Sequence, residues 1–194
     1  KNKSDVALMM AEAWNQQNDY AKSLEYYDVA LKNNSRKLPR EVEFKIGFCK
    51  MKTNDYEGAL SHFAKVTDSD DELSQYGSYY MAQCYTNTDK DKFARNSFYK
   101  AYKMNFNDTI SENALLNYAA LSFMPGIDPF NETVNILSEY ITNNPNSNKI
   151  VQLQEMLVYL LLNSNDYVKA LETIEQYSYL SQELQQIKSQ LTYN

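Results

Sequence analysis

Apolar side chains recur along this chain every three or four positions, in windows broken by short polar stretches. That period belongs to helices with one buried face. In the first window Val6, Leu8, Met9, Met10, Ala13 and Trp14 predict a helix over 5–17, with Ser4 or Asp5 as N-cap. Asn18-Asp19 stops it, because Asn tolerates the left-handed backbone that ends helices and Asp caps the next one. A second helix is predicted over 20–32, with Leu24, Tyr27, Ala30 and Leu31 on one face. Asn33-Asn34-Ser35 closes the unit, and Pro39 suits the opening of another helix. The stretch 46–66 repeats the plan: a helix, a tight Asn54-Asp55 turn, and a second helix through Val66. Small residues such as Gly47 and Ala59 stand where the two must touch.

The Asn-Asp-Tyr tripeptide of Asn18, Asp19 and Tyr20 returns 36 residues later at Asn54, Asp55 and Tyr56. It returns again at Asn165, Asp166 and Tyr167, a further 111 residues, or three periods of 37. Self-similarity at this length marks a repeat array. Between these copies the period predicts helices over 72–87 and 90–104, then 109–123 and 131–142. The loop 124–130 carries Pro125 and Pro129 and is expected to be a stiff protrusion. A fifth pair follows over 149–163 and 167–176, and 181–191 reads as the first helix of a sixth unit. The units are 4–35, 38–68, 72–105, 109–145 and 147–177, with a trailing helix over 180–192, all in one repeat domain.

These residues resemble the tetratricopeptide repeat. The outline of that family is met by Met10-Ala11, Trp14, Ser23, Tyr27 and Ala30 in the first unit. The second offers Ile46-Gly47, Ala59, Phe63 and Val66, with Lys50 breaking the aromatic position. The third offers Met81-Ala82, Tyr85, Ala94, Phe98 and Ala101. The fourth fits through Ala120, Phe123, Thr133, Leu137 and Tyr140 with a closing Pro145, and the fifth through Val158, Leu161, Ala170, Ile174 and Tyr177. Gly or Ala in the first helix lets an aromatic ring of the second lie close, and each hairpin needs its neighbour to cover the rest. The expected fold is therefore all-α: a right-handed superhelix of about five stacked antiparallel hairpins plus a trailing helix.

The resemblance implies that first helices line a concave binding face. Here that face would present Leu8, Glu12, Phe44, Phe48, Met51, Tyr76, Tyr79, Gln83, Asn117, Leu121, Glu155 and Tyr159. Co-chaperone members of the family grip a partner's carboxylates with Lys, Asn and Arg at positions that here hold Leu8, Glu12, Phe44 and Phe48. A groove of this kind suits an apolar or aromatic stretch of an extended peptide or a helix instead. The expected function is a non-catalytic scaffold binding a protein or peptide. Long fourth and fifth periods, with abundant Asn and Tyr, resemble divergent tetratricopeptide proteins of bacterial envelopes, so a periplasmic or envelope setting is favoured over the cytoplasm. The alternatives are a peptide- or glycan-capture module for an attached enzyme or transporter, and a homo-oligomer formed through Leu180, Leu184, Ile187 and Leu191. The last four sit at helical spacing with no sixth partner helix to cover them.

Composition narrows the field. Hydrophobic residues make up 43 % of the chain, enough for a core, and 4 Gly with 4 Pro are few for an all-β fold. The net charge of −6 is uneven: 16 Lys/Arg against 15 Asp/Glu over 1–103, but 3 against 10 over 104–194. The acidic half repels phosphate backbones and argues against nucleic acid. A cationic partner could meet it, though solvation is the commoner role of surplus carboxylates. No apolar run approaches the ~20 residues needed to span a bilayer. The opening residues already lead into a helix, as expected of a fragment of a longer protein.

Candidate chemistry is thin. His62 stands beside Phe63 with no activating partner in sequence and reads as a bystander. Cys49 and Cys84 fall on equivalent positions of neighbouring units, ~8–10 Å apart on stacked helices and beyond disulfide reach. Asp68-Ser69-Asp70-Asp71-Glu72 lacks the glycine and distal glutamate of a calcium loop and reads as a helix cap. Asn107 and Asn131 open sequons that matter only in a glycosylating pathway. No cofactor or metal motif is present, and no catalysis is expected.

Overall fold

The computed structural model describes residues 3–32, 38–123 and 130–193. Eleven helices run through them, and no strand occurs among the described residues. They are α1 (Lys3–Gln16), α2 (Tyr20–Lys32), α3 (Arg40–Lys52), α4 (Tyr56–Phe63), α5 (Glu72–Thr86) and α6 (Asp91–Met104). Then follow α7 (Asp108–Leu121), α8 (Phe130–Asn143), α9 (Ile150–Asn163), α10 (Tyr167–Glu175) and α11 (Gln182–Tyr193). The periodicity placed each of them to within a few residues. The exception is α4, which ends at Phe63 rather than Val66; Ala64 to Thr67 turn instead. The 124–129 part of the expected protruding loop lies outside the described residues.

The packing divides the chain into two compact units, Lys1–Ala114 and Leu115–Asn194, with the boundary inside α7. In the first unit α1 pairs with α2, α3 with α4, and α5 with α6, while α2 meets α3 and α4 meets α5. That is three antiparallel hairpins stacked in chain order. Each hairpin sets a small residue opposite a ring sixteen positions on: Ala11 and Tyr27, Gly47 and Phe63, Ala82 and Phe98, all but inaccessible. At Gly47 the reason is measurable, since a Cβ there would lie 3.0 Å from Phe63 Cε1 and 3.3 Å from His62 Cβ. Cys49 and Cys84 are buried free thiols, and burial pushes the Cys84 thiol up to about 12.

The corners share one wiring. Asn18, Asn54 and Asn165 adopt φ of 60°, 64° and 61°, the left-handed region that Asn enters cheaply. The following Asp donates its N–H to the carbonyl five residues back: Asp19 to Trp14 at 3.0 Å, Asp55 to Lys50 at 2.8 Å, Asp166 to Leu161 at 3.0 Å. These are Schellman endings. The same Asp then caps the next helix, its Oδ1 accepting from the N–H of Lys22, Gly58 and Lys169 at 3.1, 3.0 and 3.2 Å. The Tyr hydroxyl returns to the Asn side chain, at 2.8 Å from Tyr20, 2.9 Å from Tyr56 and 2.8 Å from Tyr167. Each residue of the tripeptide therefore has its own task at the bend.

A second repeating bond ties each hairpin's open end. Ser4 Oγ donates to the Ala30 carbonyl at 3.2 Å, Arg40 Nη2 to Val66 at 2.6 Å, and Gln75 Nε2 to Ala101 at 3.1 Å, each across 26 residues. Helix ends leave carbonyls without intrahelical donors, and these side chains serve them. The longer two also reach the next hairpin. Arg40 forks onto both oxygens of Asp71, at 2.6 and 3.0 Å, and onto Ser74 Oγ at 2.6 Å. Asp71 caps α5 by accepting from Ser74 N–H at 2.8 Å, as the acidic run predicts, and the Arg40 guanidinium holds its carboxyl well below the usual range. Gln75, fully buried, donates to Ser111 Oγ at 2.8 Å and to the Asn107 carbonyl at 3.3 Å, and accepts from Asn107 N–H at 2.8 Å.

In the second unit α8 packs on α9, α9 on α10 and α10 on α11. The α7–α8 hairpin carries a buried hydrogen bond between Ser122 Oγ and Thr133 Oγ1 at 2.9 Å. The expectation for the trailing helix needs correction. Leu184 is 0 % exposed within its own chain, packed with Val158 and Ile174, and Leu180, Ile187 and Leu191 lie partly buried against that cluster. Helix α11 thus spends its apolar stripe covering α9 and α10, and Leu184 has nothing left to offer a second copy.

Candidate partner-binding grooves

In the first unit, α3 and α5 each carry a pair of rings one helical turn apart: Phe44 with Phe48, and Tyr76 with Tyr80. Phe48 meets Tyr80 edge-on at 5.3 Å between centroids and Phe44 tilts against it at 5.9 Å. Behind them Phe63 of α4, wholly buried, stacks on Tyr80 at 6.1 Å and lies 5.7 Å from Phe44. Tyr20 supports Phe48 at 5.9 Å from the corner of the first hairpin. This backing holds the outer rings in place, so a cavity of about 320 Å³ stands open between α3 and α5. Phe44, Phe48, Leu73, Tyr76 and Tyr80 line it, with Asn15 and Lys45 as its polar members. Lys45 is paired with Glu12 at 2.5 Å, so its charge is already answered.

In the second unit a shallower groove of about 420 Å³ runs between α7 and α9. Asn117, Glu155 and Tyr159 line it together with Leu116, Ala120, Gln152 and Met156. Tyr159 donates its hydroxyl to Glu183 of α11. That contact, then burial, then the charges of Glu183 and Glu155 push the Tyr159 hydroxyl up to about 12.

The twelve residues expected on a concave face are therefore distributed. Phe44, Phe48 and Tyr76 share the first groove, and Asn117, Glu155 and Tyr159 the second. Leu8 packs against the Ala11–Tyr27–Ile46 core, Glu12 is spent on Lys45, and Tyr79 turns towards Phe98 at 5.6 Å. Gln83 is half-buried on α5. Met51 and Leu121 are corrections: at 8 % and 9 % exposure they are core. Met51 clusters with Ala59 and Phe63, on the side of α3 that faces its own hairpin partner. Sequence reasoning missed Tyr80 and Leu73. Tyr80 had a signal, since it stands one turn from Tyr76 just as Phe48 does from Phe44.

His62 is not a bystander to packing. Its Nδ1 lies 2.6 Å from Glu43 Oε2, and Lys65 Nζ lies 3.1 Å from both Glu43 oxygens. Glu43 is 5 % exposed, so the Nδ1–H tautomer and the Lys65 ammonium supply the donors a buried carboxylate requires. Burial, working against the Glu43 contact, leaves His62 below its ordinary value. Among the described residues no group of three or more His, Cys, Asp or Glu is placed to hold a metal ion, and no helix is long and apolar enough to cross a membrane.

No protein-family model matches the chain, and no curated protein sequence does. Solved structures do match in shape. One is YrrB, described as a TPR protein with an unusual peptide-binding site, at TM-score 0.66 and 16 % identity over 96 % of this chain and 88 % of that one. The fold is that of the tetratricopeptide repeat. MamA from Desulfovibrio magneticus shares it at TM-score 0.63 and 12 % identity, over 98 % and 97 % of the two chains. A tetratricopeptide repeat protein from Parabacteroides merdae aligns at TM-score 0.55 and 17 % identity, over 98 % and 71 %. In tetratricopeptide terms both grooves lie between first helices of successive hairpins, α3 with α5 and α7 with α9.

Proposed function

We propose that this chain is a non-catalytic protein-interaction scaffold, and that its first unit holds an extended partner segment by an aromatic or large aliphatic side chain. The observation that carries the reading is the ring-lined cavity between α3 and α5, whose walls are apolar, braced from behind and open to solvent. Its size suits one large side chain, and ring edges and faces on several sides favour an aromatic or branched aliphatic guest. The peptide-binding description of YrrB, a protein of the same fold, supports the class of partner. The wider setting we favour is an assembly of the bacterial envelope, because the long fourth and fifth periods, with abundant Asn and Tyr, resemble those of divergent tetratricopeptide proteins found there.

The test is selection from a random peptide library followed by fluorescence anisotropy on the selected peptides. The enriched peptides should share an aromatic or large aliphatic anchor. The double variant Phe48→Ser, Tyr76→Ser should weaken them by about a hundredfold, the scale of losing a central apolar contact, with its unfolding midpoint measured alongside. Peptides without an apolar anchor, or equal binding by the folded double variant, would refute the reading.

A further inference from the structure

The groove of the second unit has a different chemistry. Leu116, Ala120 and Met156 give it apolar walls, while its charged member is Glu155. Glu155 and Tyr159 are four residues apart on α9 and so share a face. Because Tyr159 donates to Glu183, a second carboxylate is held next to the same ring. The unit offers little to neutralise them. Its lysines are Lys149, Lys169 and Lys188, of which Lys188 faces Glu175 at 3.9 Å. Among the described residues neither Glu155 nor Glu183 forms an ion pair.

We propose that this groove takes a lysine or arginine side chain from an extended segment of a partner protein. The aliphatic stem lies along Leu116, Ala120 and Met156, and the cationic head meets Glu155 and Glu183. Long basic side chains combine such a stem and head, and a purely apolar guest would leave the carboxylates unanswered. The inference goes beyond the aromatic groove of the first unit and does not depend on it, since the two share no residue.

The probe is a blocked Ser-Leu-Arg-Leu-Ser peptide and its counterpart with Glu in place of Arg, titrated into the whole ¹⁵N-labelled chain and followed by amide shifts. The Arg peptide should move amides in 116–120 and 152–159, the Glu peptide should not, and binding should weaken on raising salt to about 0.3 M. Glu155→Gln keeps the side chain's shape and should weaken the Arg peptide about five- to tenfold, as loss of one partly exposed charge contact does. Equal shifts from both peptides, or unchanged affinity in the folded Glu155→Gln chain, would overturn the proposal. So would an unmoved groove together with a sedimentation shift towards monomer in Glu155→Gln, which would make a second copy the occupant.

Discussion

Replacing Gln75 with Leu should destabilise the first unit out of proportion to a change that preserves side-chain size. In the native chain this amide has four partners: its two N–H groups serve the Ala101 carbonyl and Ser111 Oγ, the Asn107 carbonyl shares one of them at 3.3 Å, and its oxygen accepts from Asn107 N–H. Leucine fills the space and serves none of them. Asn107 is partly exposed and can turn to water, so the cost rests on the Ala101 carbonyl and the Ser111 hydroxyl, both buried. Leaving a buried polar group without a partner costs about 1–3 kcal/mol, so two give about 2–6 kcal/mol in all. For a unit of this size that lowers the melting temperature by about 10–25 °C. Urea unfolding followed by circular dichroism at the helix band measures it, provided the slope with urea is unchanged. A double-mutant cycle sharpens the test. Ser111→Ala should cost less in the Gln75→Leu background than in the parent, because the hydroxyl has already lost its donor. A Gln75→Leu chain within about 0.5 kcal/mol of the parent, or strict additivity with Ser111→Ala, would refute the reasoning.

Two further outcomes follow from the corners and the buried carboxylate. Asn54→Ala should destabilise by about 1–2 kcal/mol, since Ala at a positive φ is strained and the Tyr56 bond is lost; Asn54→Gly should cost less, because only the bond is lost, and equal losses in the two unfolding curves would contradict this. For His62 the sign is set by its lowered value: the unfolded chain binds the proton more tightly, so stability holds above the ordinary 6.5 and is lost as pH falls below it. Unfolding midpoints between pH 7.5 and 5.5 should therefore drop in the parent and drop less in His62→Gln, and parallel profiles would refute the assignment.

The features that could be read from sequence are those in which both partners announce themselves by residue type. Asn in the left-handed corner, Asp at the cap, and a small residue sixteen before a ring all leave such a signature. The bonds from Arg40 and Gln75 leave none, because their acceptors are backbone carbonyls that every residue carries, and a long polar side chain early in a helix reads as solvent-facing; Ser4, expected as an N-cap, lies inside α1 and donates across the hairpin instead. Glu43 likewise looks like an ordinary first-turn carboxylate until α4 brings His62 and Lys65 over it. Grooves were harder than cores. A shift of one position along a helix separates Tyr79, which faces Phe98, from Tyr80, which lines the cavity. The trailing helix misled for a related reason: apolar spacing shows that a stripe will be covered, not whether its cover comes from the same chain.

The Asn-Asp-Tyr bend closes its own circuit of hydrogen bonds within a span of nine residues, asking nothing of distant parts of the chain. Three separate places can therefore begin to order early and without waiting for one another, since loop closure of this length is fast and costs little entropy. A lesion at one bend would then delay the ordering of that bend while the other two closed on their own.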